Sequence, residues 1–219
     1  MNMHKLSRKE REKEQRRNEI LNAAQNRFFK STYDEVSMED IANDVELAKG
    51  TLYLYFKNKQ SLFFTVVIKG LKILRDIFKE AADKEKYGKD KILSFSKAFF
   101  DYIQNYGDYY RLNLDTRSPR FIKMFEENEI ENAEEYLNYI TDLFNITKDS
   151  VVSGINDKSL RQDLDPIQTS IFLGSSIKSA VFITPEYEML LKQCKITKDQ
   201  YFDHSLNIIL NGIEHKKSP

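Results

Sequence analysis

The chain has 219 residues, with 34 basic and 34 acidic side chains that leave no formal net charge. Seven glycines and four prolines against 31% charged residues suit helices with short connections and argue against a turn-rich β protein. A single cysteine, Cys194, excludes an intramolecular disulfide and fits a reducing cytoplasm. No apolar run reaches the ~18 residues needed to cross a bilayer, and the charged start MNMHKLSRKEREKEQRRNEIL has no apolar segment of the signal-peptide kind. The expectation is a soluble cytoplasmic protein without a membrane partner.

The zero average hides a local asymmetry. No acid stands between Glu46 and Asp76, where Lys49, Lys57, Lys59, Lys69, Lys72 and Arg75 all fall. EENEIENAEE, residues 126–135, does the reverse with six glutamates and no base. A charge run is most often a solvated helix face, so the basic segment needs support beyond its sign.

In chain order, the tail RKEREKEQRR reads as a frayed helical extension, because its mixed charges weaken its case as a minor-groove arm. From Arg17, Ile20, Leu21, Ala24 and Phe28 recur at helical spacing. Ser37 with Asp40 forms a carboxylate variant of the capping box ahead of Ile41, Ala42 and Val45. Glu46, Leu47 and Ala48 make a short break, and Lys49–Phe56 forms a second short helix with Leu52 and Phe56 in the core. Asn58 caps a helix whose apolar period persists from Leu62 to Ala81. Further helices are predicted over Ile92–Asn105, Tyr109–Leu114 and from Pro119 to about Gly154. Asp165–Pro166 opens another helix, and Thr197 with Gln200 forms a capping box for the last. With no long strand alternation and no internal repeat, the fold class is all-α.

Two short helices joined by a three-residue break form a helix-turn-helix layout. The second helix of such a unit enters the major groove of double-stranded DNA, where a carboxylate would face phosphates. Thr51, Tyr53 and Tyr55 offer hydroxyls to phosphate oxygens, Lys59 stands at the first turn of the following helix, and Gly50 allows close backbone approach.

ILNAAQNRFF followed by SMEDIANDVELAKGTLYLYFKNKQSLF resembles the TetR (tetracycline-repressor) family of transcription regulators. The resemblance covers about Arg17–Phe64 and rests on Ile41, Ala42, Gly50, Thr51, Leu52, Tyr53, Tyr55, Phe56, Lys59 and Leu62 falling at the family spacing together. It implies that Lys49 and Tyr53 face the groove and that Ser37, Thr51, Tyr55 and Lys59 contact phosphates. Thr32, Glu46 and Ala48 depart from the pattern, which commonly has glycine, glycine and a capping serine there. A non-glycine residue at positive φ costs about 1 kcal/mol, and a lost serine cap costs a similar ~1 kcal/mol.

Beyond Phe64 only GINDKSLRQDLDP and the helix after it look family-like. The resemblance implies a homodimer in which the last two long helices of each protomer form a four-helix bundle. Gly174, Ser175, Ser176, Ser179 and Ala180 permit close helix approach, and Ile208, Ile209 and Gly212 are placed to face them, unless these small residues pack inside one subunit. The middle helices are crowded with rings, most of them plain core. Phe99, Tyr102, Tyr106, Tyr110 and Phe125 are the candidates to line a small-molecule pocket with aromatic walls, which suits an apolar or cationic aromatic effector.

His4, His204 and His215 lack partners at metal-ligand spacing, and no phosphate loop or nucleophile motif is present. The expectation is therefore no metal, no cofactor and no enzyme activity. The expected domains are residues 1–60, DNA-binding with a charged extension over 1–16, and residues 61–219, for effector binding and dimerisation. The function expected is a repressor that binds a palindromic operator as a dimer and is released by its effector. The alternative is an architectural or partner-protein-responsive DNA-binding protein without a small-molecule ligand, which a solid core would favour.

Overall fold

A computed structural model describes residues 7–215 as ten helices joined by short connections. Their order is α1 (Arg8–Lys30), α2 (Met38–Asp44), α3 (Lys49–Leu52), α4 (Lys59–Asp83), α5 (Gly88–Asp115), α6 (Pro119–Glu126), α7 (Ala133–Asn156), α8 (Pro166–Val181), α9 (Pro185–Gln193) and α10 (Lys198–Ile213). The only β pairing recorded among the described residues is an isolated antiparallel bridge between Leu160 and Glu214.

The expected caps are present where the sequence places them. Ser37 and Asp40 form a reciprocal box, as do Thr197 and Gln200. Asp165 accepts the N–H of Gln168 ahead of Pro166, and Asn58 accepts that of Ser61. Other boundaries differ for local reasons. Helix α1 begins at Arg8, nine residues before the apolar period does, because Ser7 and Glu10 close a capping box of their own. The helix expected from Pro119 to Gly154 is interrupted after Glu126, where Asn128 turns the chain at φ 55°. Asparagine tolerates that left-handed conformation, and six glutamates within ten residues repel one another along a continuous helix. The segments expected over Ile92–Asn105 and Tyr109–Leu114 are one helix, kinked at Tyr106 (φ −131°, ψ 26°). Helix α9, starting at Thr184–Pro185, is additional.

The chain divides into two compact units that are not contiguous in sequence. The first comprises the chain up to Lys72 together with Tyr106–Asn138, and the second Ile73–Asn105 together with Tyr139 onward. Helix α4 continues unbroken through residue 60.

In the first unit, Ile20, Ala24, Phe28, Ile41, Leu52, Phe56, Leu62 and Phe63 are all buried. Phe121 of α6 stacks parallel on Phe63 at 5.1 Å and meets Tyr33 edge-on at 4.9 Å. A buried aromatic pair of this kind adds about 0.5–1.5 kcal/mol beyond the area it covers. Arg111 of α5 donates to the carbonyls of Phe28 and Phe29 (2.7 and 3.1 Å), satisfying acceptors that the C-terminus of α1 leaves open.

In the second unit, the segment GINDKSLRQDLDP has a structural task. Asp157 accepts the backbone N–H of Gly88 (2.7 Å) and Ser159 accepts that of Lys89 (3.1 Å), so the loop after α7 caps the start of α5. The Lys89 ammonium reaches Glu214 (2.5 Å). Buried Leu173, Ile177 and Ala180 of α8, with Phe202, Leu206 and Leu210 of α10, carry the core of the last helices. Among the described residues no helix is long and apolar enough to cross a membrane.

Candidate nucleic-acid interface

Helices α2 and α3 are held by their apolar sides. Met38, Ile41 and Ala42 of α2 are buried, as are Leu52 and Phe56 at and beyond the end of α3. Arg27 of α1 grips Asp44 at the end of α2 with two bonds of 2.6 Å. The Arg17 guanidinium lies 4.7 Å over the Phe56 ring.

The turn between the two helices carries the departures read in the sequence. Glu46 adopts φ 53°, so a side chain occupies a left-handed position. Ala48 starts α3 without a side-chain cap. Thr32, by contrast, carries no such strain. It is absent from the positive-φ positions, and both its N–H and its hydroxyl donate to Glu35.

Helix α3 is shorter than expected: it ends at Leu52, and tight turns carry the chain to Phe56 through Leu54 N–H to Thr51 and Tyr55 N–H to Leu52. With Leu52 and Phe56 pointing inward, Lys49, Gly50, Tyr53 and Leu54 form the outward face. Tyr53 is 43% exposed and Leu54 78% exposed. Leu54 was not among the expected site residues, although Leu52 and Phe56, read as core by their spacing, leave it on the opposite side of the segment. A Cβ on Gly50 would meet nothing within 4 Å, so the space in front of it is open.

Among the described residues, the hydroxyls of Thr51, Tyr53 and Tyr55 make no hydrogen bond within the chain. Lys49 is 3.5 Å from Glu39 of α2 in an ion pair with both partners exposed, which costs little to open. Ser37 and Lys59 are placed differently. The Ser37 hydroxyl already accepts the Asp40 N–H and donates to the Asp40 carboxylate (2.6 Å). The Lys59 ammonium donates to the carbonyls of Tyr33 and Val36, both at 2.8 Å, and lies 4.2 Å over the Tyr33 ring. Burial pulls its pKa below the usual lysine value, opposed by the charge of Asp34. Two of its three donors are therefore committed inside the fold, to the loop that leads into α2.

That loop is braced from α6 as well. Arg120 binds Asp34 through both terminal guanidinium nitrogens, and this pair of bonds holds the Asp34 carboxyl below the ordinary aspartate range. Burial pushes the Tyr33 hydroxyl up to about 12.

Residues 20–66, spanning the end of α1 through the first turns of α4, match the family profile described as bacterial regulatory proteins, tetR family. Over those residues the chain carries a TetR-family domain, and the described residues around it are all-helical. A curated relative, the HTH-type transcriptional activator FasR of Mycolicibacterium smegmatis, is 27% identical over 100 residues, 46% of each protein, so the match spans about half the length of that relative. Among solved structures, the transcriptional regulator FadR from Bacillus subtilis in complex with stearoyl-CoA superposes with a TM-score of 0.68 at 18% identity, over 90% of this chain and 99% of that one. The fatty acid degradation regulator FadR from Bacillus halodurans gives 0.66 at 17% identity, over 89% and 98%. At these identities the two structures establish the fold that this chain shares.

The remaining expected site residues fall as follows. Phe99 and Tyr102 lie in the second unit and are buried there. Tyr106, Tyr110 and Phe125 lie in the first, with Tyr110 buried and Tyr106 exposed at the kink of α5. Of the expected dimer residues, Ile208, Ser175 and Gly212 are exposed, while Gly174 and Ile209 are half-buried. A Cβ at Gly174 or Gly212 would meet nothing within 4 Å. The space where a side chain would stand is therefore open at both glycines, while the Gly212 carbonyl accepts from Arg161 at 3.1 Å.

Proposed function

We propose that this TetR-family regulator binds a palindromic operator as a homodimer and loosens its grip when an apolar, acyl-type effector binds. The observation that carries the operator reading is the outward face of Lys49, Gly50, Tyr53 and Leu54, with the unengaged hydroxyls of Thr51, Tyr53 and Tyr55 around it. An acid-free segment with open donors matches a phosphate-lined groove. Lys49 and Tyr53 read base edges, Leu54 offers an apolar contact to a thymine methyl, and Thr51 and Tyr55 bond phosphates. Ser37 and Lys59 serve chiefly to set the position of α2 and its loop.

The dimer reading is supported by the exposed apolar residues Ile167, Ile171 and Phe172 of α8 and Ile208 of α10, more than half exposed in one subunit. Together with open Gly174 and Gly212 they form a face suited to a second copy. The effector class is supported by the relatives: the B. subtilis FadR is bound to stearoyl-CoA, and the B. halodurans FadR is named for fatty acid degradation. Such an effector can release DNA only by as much as it prefers the non-binding conformation, and operator DNA weakens the effector by the same factor, typically 5–150-fold.

The test has three measurements. Selection from a random duplex pool is expected to enrich a palindrome, and sedimentation to show a species of twice 25.8 kDa. Stearoyl-CoA titrated calorimetrically is expected to bind more weakly when operator is saturating. A monomer at micromolar concentration overturns the dimer; equal affinities in the two titrations overturn the coupling.

A further inference from the structure

Helix α1 runs about three turns beyond the body that it helps to build. From Arg8 to Asn18 no residue is buried, and the first that is buried is Ile20. At 1.5 Å per residue, the ten residues from Arg8 to Arg17 extend about 15 Å. An overhang without a core is marginal as a helix in water. Local bonds sustain this one: the Ser7–Glu10 capping box, an Arg8–Glu12 ion pair at 2.8 Å and a Gln15–Glu19 hydrogen bond at 3.2 Å.

The acids on this overhang are kept off one face. At about 100° per residue, four of its six cations, Lys9, Lys13, Arg16 and Arg17, fall within one arc roughly 100° wide. Arg8 and Arg11 lie outside that arc, as do Glu10, Glu12, Glu14 and Glu19. The same arc continues into Ile20 and Ala24, which are fully buried against the helix-turn-helix body. The side of α1 that faces protein from Ile20 onward is therefore, where the protein stops, an acid-free face that carries Lys9, Lys13, Arg16 and Arg17. Arg17 marks the junction, lying over Phe56 at the end of the recognition segment, one residue before Lys57. Arg16 is bonded to Glu19 at 2.8 Å, whereas Lys9 and Lys13 are exposed and form no ion pair among the described residues.

We infer that the overhang is a second nucleic-acid surface. Lys9 and Lys13, extended from Arg17, grip the phosphate backbone of the duplex beside the groove that α3 occupies. The inference rests on the operator reading above and adds to it a contact that carries no sequence information. Phosphate is the ligand that the arc fits, since it presents cations at successive helical turns and no acid to repel a polyanion. The charged N-terminal run then has a function as a rigid arm, which mixed composition alone would not suggest.

The experiment compares wild type with the double variants Lys9→Gln/Lys13→Gln and Lys9→Arg/Lys13→Arg. Both positions are exposed, so circular dichroism and thermal unfolding are expected to be unchanged. Affinity is measured against salt for a duplex selected as operator and for a random-sequence duplex of equal length. Each phosphate neutralised contributes about 0.9 to the log–log salt slope. The glutamine variant is expected to lose about two units of slope per protomer and to weaken on both duplexes by the same factor; the arginine variant is expected to retain both. An unchanged slope in the glutamine variant, with wild-type binding intact, overturns this inference alone. Failure of the wild type to bind any duplex overturns it together with the operator reading.

Discussion

Gly88 and Gly154 meet through bare backbone: a Cβ built on Gly88 would lie 2.0 Å from the Gly154 nitrogen and 2.4 Å from the Ser150 carbonyl oxygen. No flexible side chain stands there to yield. Gly88→Ala is expected to destabilise by at least the upper end of the ~1–3 kcal/mol typical of overpacking, read as a lowered unfolding temperature. Gly50→Ala is the contrast, because its Cβ meets nothing and its φ is not positive. There the expected change in stability is zero or a gain of about 0.5–1 kcal/mol, with a loss of operator affinity where α3 approaches the DNA backbone. Equal thermal effects of the two substitutions would contradict this assignment.

Lys59→Met removes a cation bonded to the carbonyls of Tyr33 and Val36. Loss of charge-assisted bonds to partly buried acceptors costs on the order of 1.5–3 kcal/mol. Thr51→Val and Tyr55→Phe remove hydroxyls that make no hydrogen bond among the described residues. They are expected to leave unfolding within about 0.5 kcal/mol of wild type and to lower only DNA affinity. Denaturant titration separates the two behaviours. A Lys59→Met protein as stable as wild type would return that lysine to a purely DNA-facing role.

Asp157 connects stability to acidity. Burial alone would raise its pKa, but hydrogen bonds from Ser159 and from the Gly88 N–H, with the charge of Lys91, bring it below the usual aspartate value of 3.8. A depressed folded-state pKa contributes stability that is complete above the unfolded value and lost as pH falls through the folded one. Wild type is therefore expected to exceed Asp157→Asn in unfolding temperature near neutrality, with the gap closing below about pH 4. A gap that stays constant down to pH 2 would show that the carboxylate charge is not what holds the start of α5.

Leu54, 78% exposed on the outward face of the recognition segment, has a thymine-methyl contact as its expected role. Replacing operator thymines by deoxyuridine, one at a time, removes single methyl groups. At one position of the half-site wild type is expected to lose affinity, whereas Leu54→Ala is expected to be insensitive there. Parallel losses in both proteins at every position would exclude Leu54 from base reading.

Much of this architecture was legible in the sequence because it is specified locally. The boxes at Ser37–Asp40 and Thr197–Gln200 and the Asp165–Pro166 start each depend on residues three or fewer apart, so a linear pattern contains all of their chemistry. Leu52 and Phe56 declare a core face by spacing alone, and the acid-free run from Leu47 to Arg75 declares what that segment avoids. The family resemblance, rather than any local pattern, singled out Glu46 and Ala48, which the structure places at φ 53° and at a helix start without a side-chain cap.

What tertiary structure alone decided lies between residues distant in sequence. Lys59 stands at the first turn of a helix, which suits a phosphate contact, and only the return of the loop after α1 shows that its ammonium is bonded to Tyr33 and Val36. Gly88 and Gly154 are unremarkable glycines until α5 and α7 meet backbone to backbone. The division of the expected ring cluster between two compact units follows from where α5 joins each of them. The physical reason is common to all three. Helix caps and periodicity act within a turn or two of chain, whereas the partner of a part-buried cation, the gap beneath a Cβ and the grouping of rings are set by segments dozens of residues away.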